Sequence, residues 1–152
     1  MTVTVRRAAA VDAPTLARLR YRWRSEERGE DGISRESFVD FYTSWAIDRL
    51  ASHVAFLVEV DGRAAGMAWL VFGSRAPSPN QLDRRTGDLQ AVYVIPELRD
   101  AGVGGALLDA ILAEARVREL EFLTVHSAQR AVSFYQRAGF TADPTWLSLD
   151  LR

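Results

Sequence analysis

Hydrophobic positions near the N-terminus pass from a two-residue spacing to a helical one. Val3 and Val5 alternate with polar residues between Thr2 and Arg7, which predicts a short strand. Asp12 and, further along, Ser34 are favoured N-cap residues, so each predicts the start of a helix. The first helix has apolar residues at Leu16, Leu19, Tyr21 and Trp23, and the second has a broad aromatic face formed by Phe38, Phe41, Tyr42, Trp45, Ile47 and Leu50.

The middle of the chain is rich in β-branched and aromatic residues. The runs 54–60 and 64–72 are joined at Asp61-Gly62, a strong hairpin signal, so we expect antiparallel neighbours. A segment rich in turn-forming residues, 73–80, predicts a loop inside the domain, and 87–95 predicts a largely buried strand that ends before Pro96.

The C-terminal part alternates between helical and strand patterns. A helix is predicted from the glycines near position 104 to about Val117, then a strand over 121–126 and a helix over 131–138 that ends at Gly139. The alternation over 146–151 predicts a closing strand. The resulting order is β-α-α-β-β-β-α-β-α-β, an α/β (α+β) arrangement within a single domain over residues 1–152.

Composition excludes several functional classes. The absence of cysteine rules out disulfides and thiolate catalysis, and a net charge of −1 argues against non-specific nucleic-acid binding. No stretch has the length and hydrophobicity of a signal peptide or a membrane span. We therefore expect a soluble cytoplasmic protein that binds neither nucleic acid nor membrane and contains no metal site.

The turn after the buried strand carries the clearest chemical signal. Arg99-x-x-Gly102-x-Gly104-Gly105 leads directly into a strong helix-forming segment, so the glycines lie at a helix N-terminus. Free N–H groups and the helix dipole make such an end suitable for a pyrophosphate. A left-handed turn before a core helix is the structural alternative. A P-loop is excluded because Gly-Lys-Ser/Thr is missing, and the third glycine of a dinucleotide fingerprint is absent too.

In combination, the segments 94–96 and 99–104 resemble motif A of the GNAT N-acetyltransferase superfamily, and 133–140 resembles its Phe-Tyr-x-x-x-Gly-Phe segment. This resemblance implies a mixed sheet with helices on both faces and acetyl-CoA as co-substrate. It implies a pyrophosphate site formed by Arg99, Asp100, Ala101, Gly102, Val103, Gly104 and Gly105, with the strand backbone at Val92, Tyr93 and Val94 along the pantetheine arm. The asparagine that the family often has seven positions before the tyrosine is replaced by Ala128.

The resemblance also suggests catalytic groups. Tyr135 corresponds to the tyrosine that protonates the departing thiolate, and its ordinary pKa of about 10 suits that task. Asp88 is close to the strand position of a glutamate base in one branch of the family and is predicted to act through a water molecule. The alternatives are that Tyr135 packs its helix on the sheet and that Asp88 is a strand-entry residue. We expect the oxyanion donor to be a backbone N–H around Val92 to Val94.

The acceptor side falls on the first two helices in this family. Trp23, Glu26 and Glu27 there offer aromatic and acidic surface that would suit a cationic amine, although a solvated helix end explains them as well. We expect acetylation of a primary amine of a small molecule. The alternatives are acetylation of a protein or peptide N-terminus or lysine, and a non-catalytic CoA-binding sensor. A homodimer is a further possibility that the sequence leaves open.

Overall fold

A computed structural model describes all residues, 1–152, as a five-stranded sheet with helices packed against it. The strands are β1 (Val3–Arg7), β2 (His53–Val60), β3 (Arg63–Arg75), β4 (Arg84–Val94) and β5 (Leu123–Val125). The α-helices are α1 (Ala13–Tyr21), α2 (Arg35–Arg49), α3 (Val103–Val117) and α4 (Val132–Arg137). Strand order is β1-β2-β3-β4-β5, antiparallel throughout except for the parallel pair β4 and β5.

The core lies between the sheet and the helices. Its largest fully buried side chains come from all layers: Leu16, Val54, Leu57, Val58, Met67, Leu70, Val103, Leu107 and Ile111. The β2–β3 hairpin turns at Asp61-Gly62, where both residues have positive φ angles of 50° and 79°, as the sequence predicted. Ser34 caps α2, since its Oγ accepts a hydrogen bond from the N–H of Ser37 at 3.1 Å.

Contrary to the prediction, the side chain of Asp12 does not cap α1. Its carboxylate accepts two hydrogen bonds from Arg6, both 2.9 Å long, and one from the N–H of Ala9 at 2.8 Å. The pair with Arg6 holds the pKa of Asp12 below its usual range. Asp12 therefore ties β1 to the start of the helical layer.

The first helix ends in a wider turn than the sequence indicated. Residues Arg22–Glu27 form a π-helical segment directly after α1. Such segments change the direction in which side chains leave the helix and are frequent at functional sites. Trp23 and Glu27 both leave this segment toward β4.

Two strand predictions need correction. β3 and β4 extend beyond their hydrophobic parts, because Gly73, Ser74 and Arg75, expected in a loop, pair with residues 84–86 of β4. The predicted closing strand over 146–151 is wrong: this segment has no regular secondary structure, and Leu147, Leu149 and Leu151 are 80–88% exposed. Alternation makes a segment competent to pair, but no strand of the sheet receives this one.

No helix in the fold is both long and apolar enough to cross a membrane.

Candidate functional site

The turn before α3 presents a row of free backbone donors. The N–H groups of residues 100–105 donate no hydrogen bond within the protein, whereas those of the flanking Arg99 and Ala106 donate to Pro96 and Gly102. Asp100 and Gly102 have positive φ angles of 61° and 82°, which lets the chain turn into the helix without closing these donors off. Six free N–H groups at the N-terminus of a fifteen-residue helix form an arrangement suited to a pyrophosphate.

Gly104 lies where three elements of the site meet. A Cβ atom at this position would be 3.6 Å from the ring of Phe134 on α4 and 3.9 Å from Val94 on β4. These are ordinary contacts, so the fold has room for one methyl group but for little more. The free donors therefore lie beside the end of β4 and the start of α4.

Arg99 does not point its charge freely at this turn. Its Nε donates to the carbonyl of Val94 at 2.9 Å, and its Nη2 is 3.0 Å from Oε1 of Glu27. Its guanidinium also lies over the ring of Tyr93, 5.7 Å from the ring centroid. Arg99 thus fastens the turn to β4 and to the segment after α1, and direct contact with a phosphate stays a prediction.

β4 contains a bulge at the point where its neighbour on one side ends. Ala91 has a φ of 53°, and the register with β3 shifts between Met67 and Trp69. Asp88, Gln90 and Tyr93 pair with Val71, Trp69 and Met67, so all three share one face of the sheet. Strict alternation along β4 would put Asp88, Gln90, Val92 and Val94 on one face of the sheet. This prediction is wrong, because Val94 pairs with Gly66 and so lies on the opposite face from Asp88 and Gln90.

The β5 side of β4 is open beyond this bulge. β5 pairs with β4 only at Gly87, Asp88 and Leu89, so the following part of β4, from Gln90 to Val94, has no strand on that side. The backbone groups of β4 on this side are available to a ligand, except for the carbonyl of Val94, which accepts a hydrogen bond from Arg99. This gap contains the strand segment predicted to contact the pantetheine arm and to supply the oxyanion donor.

Asp88 lies at the closed end of the gap and is well held. Its Oδ1 accepts a hydrogen bond from Oγ1 of Thr124 at 2.6 Å, and its Oδ2 accepts one from Nε2 of Gln90 at 3.0 Å. Both contacts fix the direction of the carboxylate, as a positioned base requires.

Tyr135 borders the same cavity as Asp88. This cavity has a volume of about 540 Å³, and Thr124 and His126 also line it. The Tyr135 ring packs edge-on against Phe134 and Phe140, and burial raises the pKa of its hydroxyl above the ordinary value. The phenol accordingly keeps its proton at neutral pH. The structure thus brings together the two side chains that the sequence suggested as base and acid.

The predicted acceptor residues occupy different environments. Trp23 stacks on Tyr93 with ring centroids 5.3 Å apart. Glu27 accepts a hydrogen bond from the Tyr93 hydroxyl, whose pKa is raised by burial and by this contact. Glu26 is exposed and borders a separate hollow with Arg18, Arg22 and Arg35. Glu27 therefore holds Tyr93, the ring on which Trp23 stacks, and contact of either glutamate with a substrate stays a prediction.

The family comparison bears directly on this arrangement. The model of the acetyltransferase (GNAT) family matches residues 17–140. The chain belongs to the GNAT family. It is therefore an N-acetyltransferase, and membership implies acetyl-CoA as its co-substrate.

Solved structures share the whole GNAT fold. A predicted acetyltransferase from Clostridium acetobutylicum, determined with acetyl-CoA, is 23% identical with a TM-score of 0.81, covering 99% of this chain and 97% of the other. A GCN5-related N-acetyltransferase from Ralstonia eutropha JMP134 is 25% identical with a TM-score of 0.76, covering 99% of each chain.

One curated relative is similar to this chain over part of its length. The glucosamine 6-phosphate N-acetyltransferase of Trypanosoma brucei brucei is 29% identical over 96 residues, which are 63% of this chain and 63% of that protein. Similarity over less than two thirds of its length does not transfer its substrate to this chain.

Several site residues were not recognised in the sequence. Thr124 and Gln90 position Asp88, and Ala91 forms the bulge. Alanine carries no turn preference, so nothing in its identity signals a positive φ. Arg20 was not recognised either; its guanidinium lies 5.0 Å from the centroid of the ring of Trp23, one of the predicted acceptor residues.

Proposed function

We propose that this GNAT enzyme transfers the acetyl group of acetyl-CoA directly to a primary amine of a small molecule. The observation that carries the proposal is the row of six free N–H groups, together with the cavity that Asp88 and Tyr135 both border. Bound there, acetyl-CoA would supply an activated acyl group. Its pyrophosphate would accept from the amides of residues 100–105, and its arm would follow β4 from Val92 to Val94.

The chain's own residues divide the chemistry between them. Asp88, held by Thr124 and Gln90, accepts the proton of the attacking amine directly or through a water molecule. A backbone N–H in the open part of β4 donates to the acyl oxygen as negative charge develops on it. Tyr135, whose phenol is protonated at neutral pH, gives its proton to the departing thiolate.

The absence of the family asparagine does not change the roles proposed for Asp88, the β4 backbone and Tyr135. Ala128 precedes the short turn before α4, and Ser127 beside it already donates its hydroxyl proton to the Ala128 carbonyl at 2.7 Å. The arm would therefore depend on β4 for its polar contacts. The acceptor itself, like a homodimer, stays a prediction.

Calorimetric titration with acetyl-CoA, followed by thiol release with a panel of small amines and peptides, tests the proposal. We expect binding of acetyl-CoA and amine-dependent release of the thiol with at least one small amine. Turnover of peptides alone would assign the protein-acetylating alternative, and binding without turnover of any amine would indicate a sensor.

A further inference from the structure

Two arginines, Arg20 in the last turn of α1 and Arg24 in the π-helical segment after it, lie beside the Trp23 ring and have N–H donors without an acceptor in the protein. Arg20 and Arg24 lie four residues apart, and their guanidinium carbons are 5.0 and 5.7 Å from the centroid of the Trp23 ring. Trp23 in turn stacks on Tyr93 of β4. The two positive charges thus lie beside the ring that stacks on β4.

Arg20 is half-buried and forms neither a salt bridge nor a hydrogen bond. Burial lowers the pKa of its guanidinium and the positive charge of Arg24 acts in the same direction, whereas Tyr42 and Glu30 act in the opposite one. The group stays charged at neutral pH, and neither Tyr42 nor Glu30 accepts a hydrogen bond from it, so its N–H donors are unused within the protein. Partly buried guanidinium groups normally have an oxyanion partner.

Arg24 is only partly satisfied. One of its terminal nitrogens pairs with Glu30, but its Nε is buried and has no hydrogen-bond partner. A buried donor left without an acceptor is costly, and an incoming acceptor would remove that cost. The two arginines therefore offer several unused N–H donors around one ring.

The position of these donors relative to Asp88 suggests their use. Tyr42 is among the groups near Arg20, and its hydroxyl accepts a hydrogen bond from Nε1 of Trp69 at 2.8 Å. Trp69 is the register partner of Gln90, which is exposed and hydrogen-bonded to Asp88. One face of β4 therefore leads from Tyr93, on which the Trp23 ring stacks, past Gln90 to the carboxylate of Asp88.

We infer that the acceptor is an amine that also carries an anionic group, a phosphate or a carboxylate, which Arg20 and Arg24 bind while Asp88 receives the amine. This inference rests on the proposed function and adds the class of its substrate. A guanidinium pair suits either oxyanion because both accept parallel N–H donors. It also gives the acceptor side a positive end, opposite to the acidic character expected from the sequence.

A binding experiment tests the anion site apart from turnover. Inorganic phosphate is titrated calorimetrically into the protein saturated with CoA, which keeps the glycine turn occupied. We expect binding that Arg20→Gln weakens about 10- to 100-fold, the range for loss of a hydrogen bond to a charged group, and that Arg20→Lys partly restores. Arg18→Gln is the control, because Arg18 is exposed on the same helix and bonds only to Thr15. Absence of phosphate binding, or equal weakening by Arg18→Gln and Arg20→Gln, overturns the inference.

A turnover experiment identifies the anion. The matched acceptors are a hexosamine with its phosphate ester and an amino acid with its carboxamide. The anionic member of one pair should have at least a tenfold higher kcat/KM, and Arg20→Gln should remove that preference through KM. A higher kcat/KM for both neutral members, or for a peptide, overturns the inference while the acetyltransferase activity stands. Phosphate binding through Arg20 in a protein that does not bind acetyl-CoA would instead contradict the proposed function.

Discussion

The carboxylate of Asp88 accepts a hydrogen bond from the hydroxyl of Thr124, 2.6 Å away on the neighbouring parallel strand. The two residues are register partners in the short stretch where β4 and β5 pair, just before the strands separate. This contact fixes a negative charge at the closed end of the gap that would receive the thioester. A carboxylate held in this way is suited to the proposed role of base, and β4 begins four residues earlier, at Arg84.

Replacement of Asp88 by Asn should lower kcat by about 10²-fold or more, because general base catalysis contributes that much. Asn can still accept from Thr124, so the strand pair should stay intact. Steady-state thiol release with an active amine measures the effect, and Asp109→Asn, an exposed position on α3, is the matched control. Turnover equal to that of the control would leave deprotonation of the amine to another group.

Replacement of Tyr135 by Phe should lower kcat by about 10²-fold with little change in the affinity for acetyl-CoA. The ring would keep its edge-on contacts with Phe134 and Phe140, so only the acidic proton is lost. Phe134→Leu is a useful comparison, because it alters packing next to Tyr135 and keeps the hydroxyl. An unchanged kcat in Tyr135→Phe would make Tyr135 a packing residue.

Much of the site could be predicted because its signals are local. Pro96 ends the strand, Gly102 tolerates the left-handed turn and a strong helix former follows, so the free N–H groups could be placed from neighbouring residues alone. The hairpin at Asp61-Gly62 and the cap at Ser34 were predictable for the same reason. Each depends on residues within a few positions of one another.

What could not be predicted depends on residues distant in sequence. The contacts of Glu27 with Tyr93 and Arg99 could not be predicted, because these partners are 66 and 72 residues away in the sequence. The alternation over 146–151 predicts a strand, but alternation alone does not determine whether a segment pairs with another strand. A strand period likewise cannot reveal a bulge at an ordinary alanine such as Ala91.

Gly66 should not tolerate a side chain. A Cβ atom there would be 2.3 Å from the carbonyl oxygen of Tyr93, on the strand that forms the site. Gly66→Ala should therefore lower the free energy of unfolding by about 1–3 kcal/mol, the usual cost of overpacking. Gly73→Ala in the same strand is the control, because nothing lies within 4 Å of its Cβ position. Urea denaturation compares the two, and equal stabilities would show that β3 can move away from β4.

The contact between Asp12 and Arg6 should make stability depend on pH. A lowered pKa means that the ionised carboxylate stabilises the fold above the unfolded-state pKa of about 3.9, and that this stabilisation is lost as the pH falls through the folded-state value. Asp12→Asn should therefore cost about 1–2 kcal/mol at pH 7 and less at pH 3. Denaturation curves at both pH values measure the difference. The same cost at both would show that the charge of Asp12 does not matter.

The most direct test of the account is the affinity of acetyl-CoA for three proteins: the wild type, Gly104→Ala and Gly104→Val. The alanine methyl would make only ordinary contacts with Phe134 and Val94, whereas the branched valine would project further beside the free N–H groups. Calorimetric titration should give near wild-type affinity for Gly104→Ala and at least a tenfold loss for Gly104→Val, with both variants folded by circular dichroism. Wild-type affinity in a folded Gly104→Val protein would contradict the assignment of the pyrophosphate to this turn.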